Sequence, residues 1–140
     1  LFVKKYCIIY KRGLHLNMLR NWEEKVVVIA EDEQINYLFL KAVLKPTKAK
    51  IIWTKTGRET IDVCNSENVD IVLMDIKMPD LNGLEATEEI KKNFPKLPII
   101  AQTAYAMEED EQASMESGCD DYISKPIRPD NLLTIMSKFI

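Results

Sequence analysis

The sequence has 140 residues, 46% of them hydrophobic and 29% charged, ordinary proportions for one soluble globular domain. Nineteen Lys and Arg against 22 Asp and Glu leave a net charge of −3, which gives no nucleic-acid footprint, and no apolar run approaches the ~20 residues of a membrane span. The charge is uneven, +4 over residues 1 to 25 and −7 over the rest, so an acidic body follows a basic lead-in.

Residues 1 to about 24 show no clean periodicity and read as a linker, an upstream remnant or vector-derived sequence, the more so as the first residue is Leu. We therefore divide the chain into an N-terminal extension, 1–25, and a folded domain, 26–140. His15, the only histidine, lies outside any helix-pair context and receives no role. Cys7, Cys64 and Cys119 have no metal-ligand spacing, which suits a reduced, cytoplasmic compartment, with Cys64 and Cys119 expected as small buried groups.

Val26–Ala30 is continuous and mostly β-branched, the pattern of a buried parallel strand, and it ends in Glu31-Asp32-Glu33. Ile35, Leu38, Phe39 and Ala42 recur at helical spacing and predict the inner face of a helix that Pro46 stops at Lys45. Ala49–Trp53 is a less apolar strand, suited to a sheet edge. A short helix over Arg58–Ser66 turns Ile61 and Cys64 inward. Asp70–Asp75 is an apolar run that ends in a carboxylate, after which Met78-Pro79-Asp80-Leu81-Asn82-Gly83 must turn.

A helix from about Leu84 to Phe94 places Leu84, Thr87, Ile90 and Phe94 on one side. Leu97–Ala101 is the fourth strand, ending in Gln102-Thr103. The mostly polar helix Met107–Ser117 has only Met107, Ala113 and Met115 to bury, with Gly118 as its C-cap. Asp121–Ser124 is a fifth strand leading into Lys125-Pro126. Pro129 and Asp130 open the last helix, with Leu132, Ile135, Met136 and Phe139 facing inward.

Five strands alternating with five helices predict an α/β fold, a single doubly wound parallel sheet covered on both faces. With the second strand at an edge the favoured order is 2-1-3-4-5, known from flavodoxin-like folds. A parallel sheet brings every strand's carboxyl end to one edge. Glu31 and Asp32, then Asp75, then Thr103, then Lys125 would meet there. Adjacent strands lie about 4.8 Å apart, so three carboxylates would crowd together and raise one another's pKa unless a cation neutralises them. A hard divalent ion such as Mg²⁺ suits an all-oxygen donor set. Thr103 and Lys125 then suit the oxygens of a phosphoryl group carried by Asp75 as an acyl phosphate. Each residue alone also has an ordinary reading: Asp75 as a loop cap, Asp32 as a helix N-cap, Thr103 as a strand-end hydroxyl, Lys125 as a surface lysine.

The strings VVVIAEDE, VLMDIKMPDLNGLEA, PIIAQTAYAM and GCDDYISKPI resemble the receiver domain of two-component response regulators, over residues 26 to 140. The last two look most like receivers of hybrid sensor histidine kinases. The resemblance implies a flavodoxin-like receiver that is not an enzyme in its own right. It would accept phosphate on Asp75 from a histidine kinase or histidine-phosphotransfer domain and assist its own phosphorylation and dephosphorylation. Mg²⁺, with Mn²⁺ as a substitute, would be held by Glu31, Asp32, Asp75 and the Lys77 backbone carbonyl. Thr103 would be the switch hydroxyl, Tyr122 the switch aromatic and Lys125 the phosphate-binding lysine, with a cis Lys125–Pro126 bond. Glu31 departs from the first Asp of many members. The implied output is the face formed by the Met107–Ser117 helix, the fifth strand and the last helix, a face also suited to self-association. Lys77 and Tyr105 flank the site and are expected to tune acyl-phosphate lifetime. No direct contact with nucleic acid or membrane is expected, and no DNA-binding output domain. The implied location is cytoplasmic, including the cytoplasmic part of a membrane-anchored hybrid kinase. Rival readings are a binding-only scaffold and a haloacid-dehalogenase-like phosphatase, whose second Asp is here Lys77.

Overall fold

Continuous apolar runs build the centre of one sheet, and their lengths set where its functional edge falls. The computed structural model describes residues 20–104 and 108–140. Strands β1 (Val26–Ala30), β2 (Lys50–Thr54), β3 (Ile71–Asp75), β4 (Ile99–Thr103) and β5 (Asp121–Ser124) lie in the order β2-β1-β3-β4-β5. Every neighbouring pair is parallel. The expected topology is therefore the observed one, a flavodoxin-like fold. β3 and β4 are buried at every residue, whereas the less apolar β2 and β5 form the two edges.

Helices α1 (Gln34–Leu44), α2 (Gly57–Ser66), α3 (Gly83–Asn93), α4 (Glu108–Glu116) and α5 (Pro129–Met136) connect the strands. Strand side chains alternate between two cores. On one face Val27, Ile29, Leu73 and Ile100 pack with Leu40 and Leu44 of α1 and Leu132 and Met136 of α5. On the other, Val28, Val72 and Ile99 pack with Cys64 of α2 and Ala86 and Ile90 of α3. Each fully buried Ile or Leu contributes about 1.5–3 kcal/mol, so the two layers hold the strand ends in fixed register.

The turn after β3 is fastened at several points. Asp80 takes a positive φ of 67°, and the Asn82 side chain caps α3 by accepting from Leu84 N and Glu85 N at 2.9 and 3.0 Å. Gly83 N donates to Ile76 O at 2.9 Å, and a Cβ at Gly83 would overlap the Asp75 carbonyl oxygen. Glycine is required there because α3 begins against the backbone of the carboxylate that ends β3.

Several local expectations change. β4 begins two residues later than Leu97, and β2 is displaced by one. Helix α1 turns Tyr37, Leu40, Val43 and Leu44 toward the core, leaving Ile35 81%, Leu38 50% and Phe39 43% exposed, with Ala42 exposed as well. This helix is apolar on nearly all sides, so two stripes satisfied the same 3.6-residue period. Phe94 lies past the end of α3 and Met115 is exposed, while Ala86, absent from the expected α3 face, is buried. Trp22 is buried in the first core, with its backbone N–H donating to Thr47 O at 2.8 Å, so the packed body reaches back before Val26. Met107 and Tyr105 lie outside the described residues, as do His15 and Cys7. Gly118, with φ 103°, closes α4 as expected, and Cys64 and Cys119 are buried thiols.

Candidate functional site

The register that aligns Ala30 with Met74 sets Glu31 beside Asp75 at the carboxyl edge of β1 and β3. One carboxylate oxygen from each of Glu31, Asp32 and Asp75 falls within 4.8 Å of the others. Glu31 and Asp75 are buried and Asp32 is exposed. Glu31 is anchored by its own backbone, whose N–H donates to Thr54 O at 2.9 Å, and its side chain accepts from Glu33 N at 3.1 Å. Lys125 reaches in from the end of β5, placing Nζ 3.3 Å from Glu31 Oε2 and 3.4 Å from Asp75 Oδ1. Its own backbone N–H donates to Thr103 O at 2.7 Å, and the Lys125–Pro126 bond is cis. The Lys77 N–H donates to Asp75 Oδ1 at 3.3 Å. Thr103 is buried and lines, with Asp75, Lys77 and Asp110, a cavity of about 130 Å³.

Burial dominates the electrostatics. It raises Glu31 from 4.5 to about 7, opposed by the Glu33 N–H and assisted by the charge of Asp75. Burial likewise raises Asp75, against the pull of Lys125. For Lys125 burial acts downward, but Asp75 and Glu31 together outweigh it and its pKa ends above the ordinary value. The carboxyl groups of Glu31, Asp32 and Asp75 make an all-oxygen donor set suited to a hard divalent cation, with the Lys125 ammonium beside it as a separate positive charge. An ion bound there would remove the cost of ionising the buried pair.

A pH dependence follows. A carboxyl whose folded pKa is raised adds stability that is complete below its unfolded value and is lost as pH rises through the folded one. Glu31 should thus make the metal-free protein less stable between about pH 4.5 and about 7. Calorimetric melting of wild type and Glu31→Gln across this window checks it: the two curves should separate there, and saturating Mg²⁺ should stabilise the wild type more at pH 7.5 than at pH 5. Parallel curves would contradict the assignment.

The structure brings Glu31, Asp32, Asp75 and Lys125 into one cluster, with Thr103 and Lys77 bordering it. Asp32 is not the cap of α1, since Glu33 holds that position and makes no side-chain capping bond. Tyr122 stands apart: its ring packs against the second core, and the exposed Glu111 carboxylate of α4 raises its pKa. Two neighbours carried no sequence signal. Gln102 lies opposite Asp75 in register, and its fully buried amide has no partner among the described residues, an arrangement costing about 1–3 kcal/mol. Trp53, on the edge strand, donates its indole N–H to Glu31 O at 2.7 Å.

Comparison with known proteins gives one consistent result. The family profile described as the response regulator receiver domain matches residues 27–137. The polar-differentiation response regulator DivK of Brucella ovis is 33% identical over 118 residues, 83% of this chain and 96% of that protein. A crystal structure of the receiver domain of a sensor histidine kinase from Pseudomonas aeruginosa, with a magnesium ion coordinated in its active-site cleft, is 28% identical. It has a TM-score of 0.77 and the match covers 82% of this chain and 96% of that one. The receiver domain of Saccharomyces cerevisiae Ssk1, crystallised with the histidine phosphotransfer signalling protein Ypd1, is represented by a structure 26% identical. Its TM-score is 0.78, with 82% and 88% of the two chains covered.

Proposed function

Because the chain belongs to the response regulator receiver family of two-component signalling, we propose that it accepts a phosphoryl group on Asp75 from a phosphohistidine protein and relays it as a conformational signal. The observation that carries this reading is the single cluster of Asp75, Glu31, Asp32 and Lys125 at the carboxyl edge of the sheet. In the proposed step an Asp75 carboxylate oxygen forms a bond to phosphorus while the bond from phosphorus to the donor's imidazole nitrogen breaks, and that nitrogen keeps the electron pair. Lys125 offers its ammonium to one phosphoryl oxygen and the Thr103 hydroxyl donates to another. Glu31, Asp32, Asp75 and the Lys77 carbonyl would hold Mg²⁺ or Mn²⁺, which when bound supplies positive charge to the carboxylates and the third oxygen.

The exposed apolar face of α1 supports a protein donor. Ile35 and Phe39 border a groove of about 350 Å³, whose far wall is Pro126 and Ile127 and whose lining includes Lys125. An exposed apolar surface beside the reactive carboxylate suits docking of a histidine-phosphotransfer protein or kinase. Residues 26–140 would be the receiver unit, with 1–25 as its lead-in.

Switching would run through Thr103 and Tyr122. Phosphorylation adds nearly two negative charges at Asp75, Thr103 moves toward them, and Tyr122 rotates into the space vacated. Among the described residues of α4 only Ser114 is buried, so moving that helix costs little. Amide exchange with a phosphate mimic should change over residues 103 to 124 and on the α4-β5-α5 face; an unchanged profile there would sink the switch. The primary test is phosphorylation of the wild type and Asp75→Asn by acetyl phosphate with Mg²⁺.

A further inference from the structure

The acidic loop is held from the edge of the sheet by an aromatic clamp that none of the roles above uses. Trp53 of β2 lies opposite Ile29 in register, and its Nε1 donates to Glu31 O at 2.7 Å. Its ring stacks on Tyr37 of α1, with centroids 4.0 Å apart and planes 2° from parallel. Lys55 Nζ sits 4.5 Å from the Trp53 ring centroid, and Lys41 Nζ 5.9 Å from that of Tyr37. Tyr37 N in turn donates to Glu33 O at 3.1 Å. The clamp thus joins β2, the first turn of α1 and the segment Glu31–Glu33 between them. Since Glu31 N also donates to Thr54 O, both backbone polar groups of Glu31 are held by consecutive residues of β2.

We propose that Trp53 is a positioning residue for the divalent cation: its indole N–H and its stack on Tyr37 hold Glu31 and Asp32 at ligating distance from Asp75. The inference rests on the reading of those three carboxylates as cation ligands. Lys125 offsets part of the repulsion between Glu31 and Asp75, but like charges within 4.8 Å still repel, and a loop free to move would relieve the remainder by spreading them. A clamp fixed during folding opposes that spreading before the ion arrives, so the ion does not have to gather its own ligands. Hydrogen-bonded partners that orient metal ligands typically change affinity ten- to a hundredfold when removed. Here the bond goes to a ligand's backbone, so the lower end applies.

A spectroscopic consequence separates this role from simple edge packing. Trp22, the other tryptophan, precedes β1 at the opposite end of the sheet, so in a Trp22→Phe background the indole emission reports the acidic loop alone. Mg²⁺ should change that emission saturably, with the same affinity that its competition against bound Mn²⁺ gives. For the direct measurement Mn²⁺ serves as probe, with loss of its free-ion paramagnetic resonance signal on titration into the 140-residue protein. Trp53→Phe, which keeps an aromatic ring but no donor, should bind Mn²⁺ about tenfold more weakly than wild type. Tyr37→Leu, which leaves the donor and removes the stack, should weaken it severalfold and remains informative if Trp53→Phe fails to fold. Wild-type affinity in a folded Trp53→Phe or in Tyr37→Leu, or an emission unmoved by saturating Mg²⁺, overturns the inference while leaving the cation site intact. A wild type that takes up no Mn²⁺ overturns the cation-site reading and the inference with it.

Discussion

Asp75→Asn should take up no phosphate from acetyl phosphate and Mg²⁺ under conditions in which the wild type gains one acid-stable, base-labile phosphoryl group. Asparagine has nearly the shape of aspartate, so the packing around residue 75 survives, but its amide oxygen is a far weaker nucleophile than a carboxylate. Its NH₂ would also oppose the Lys125 ammonium, 3.4 Å from the present Asp75 Oδ1. Burial already raises the pKa of Asp75, so a neutral isostere removes a charge that the fold holds at a cost, and the variant should be at least as stable as the wild type. Loss of labelling would therefore report chemistry, which a melting curve can verify. Intact-mass spectrometry reads the outcome directly. Label persisting in the variant would refute the assignment of Asp75, and an unlabelled wild type would favour the binding-only scaffold.

Lys125→Met should slow phosphorylation by about a hundredfold at saturating Mg²⁺, the effect of deleting one charge-stabilising donor, or roughly 2.7 kcal/mol of transition-state stabilisation. Methionine retains most of the apolar stem, so the groove lined by Phe39, Pro126 and Ile127 keeps its wall. Lys125 holds its ammonium within 4 Å of both the Glu31 and Asp75 carboxylates. Without it the two carboxyls lose an opposing charge, so their pKa values should rise further and the dependence on Mg²⁺ should steepen. A time course of labelling over a range of Mg²⁺ concentrations measures both effects. A rate within threefold of the wild type would remove Lys125 from the reaction.

The four strand ends are legible in the sequence because each is a local event: an apolar run stops and a polar, chemically useful side chain follows. Ile71–Met74 before Asp75 and Val26–Ala30 before Glu31 show this most plainly, since strands buried on both faces read as near-continuous apolar runs. The alternation of strand and helix, and the position of β2 at an edge, are legible for the same reason. The cis Lys125–Pro126 bond is expected from family resemblance alone, and it is present.

Helix α1 marks the limit. Its sequence satisfies the helical period on two stripes, and the stripe through Ile35, Leu38 and Ala42 matches the pattern as well as the one through Tyr37, Leu40 and Leu44. Which stripe faces the sheet depends on the angle at which the chain leaves β1, and the Glu31–Glu33 segment is tied to β2 through Trp53 and Thr54. The same tertiary contacts bring the indole of Trp53 to Glu31, 22 residues away, and set the buried amide of Gln102 opposite Asp75. The elements and the residues at their ends follow from runs and periods within a few residues, whereas their winding is expected from the few known ways to wind a parallel α/β sheet. The rotation of α1, the clamp on the acidic loop and the depth at which its carboxyls are buried arise from packing between segments far apart in the chain, and no local pattern encodes them.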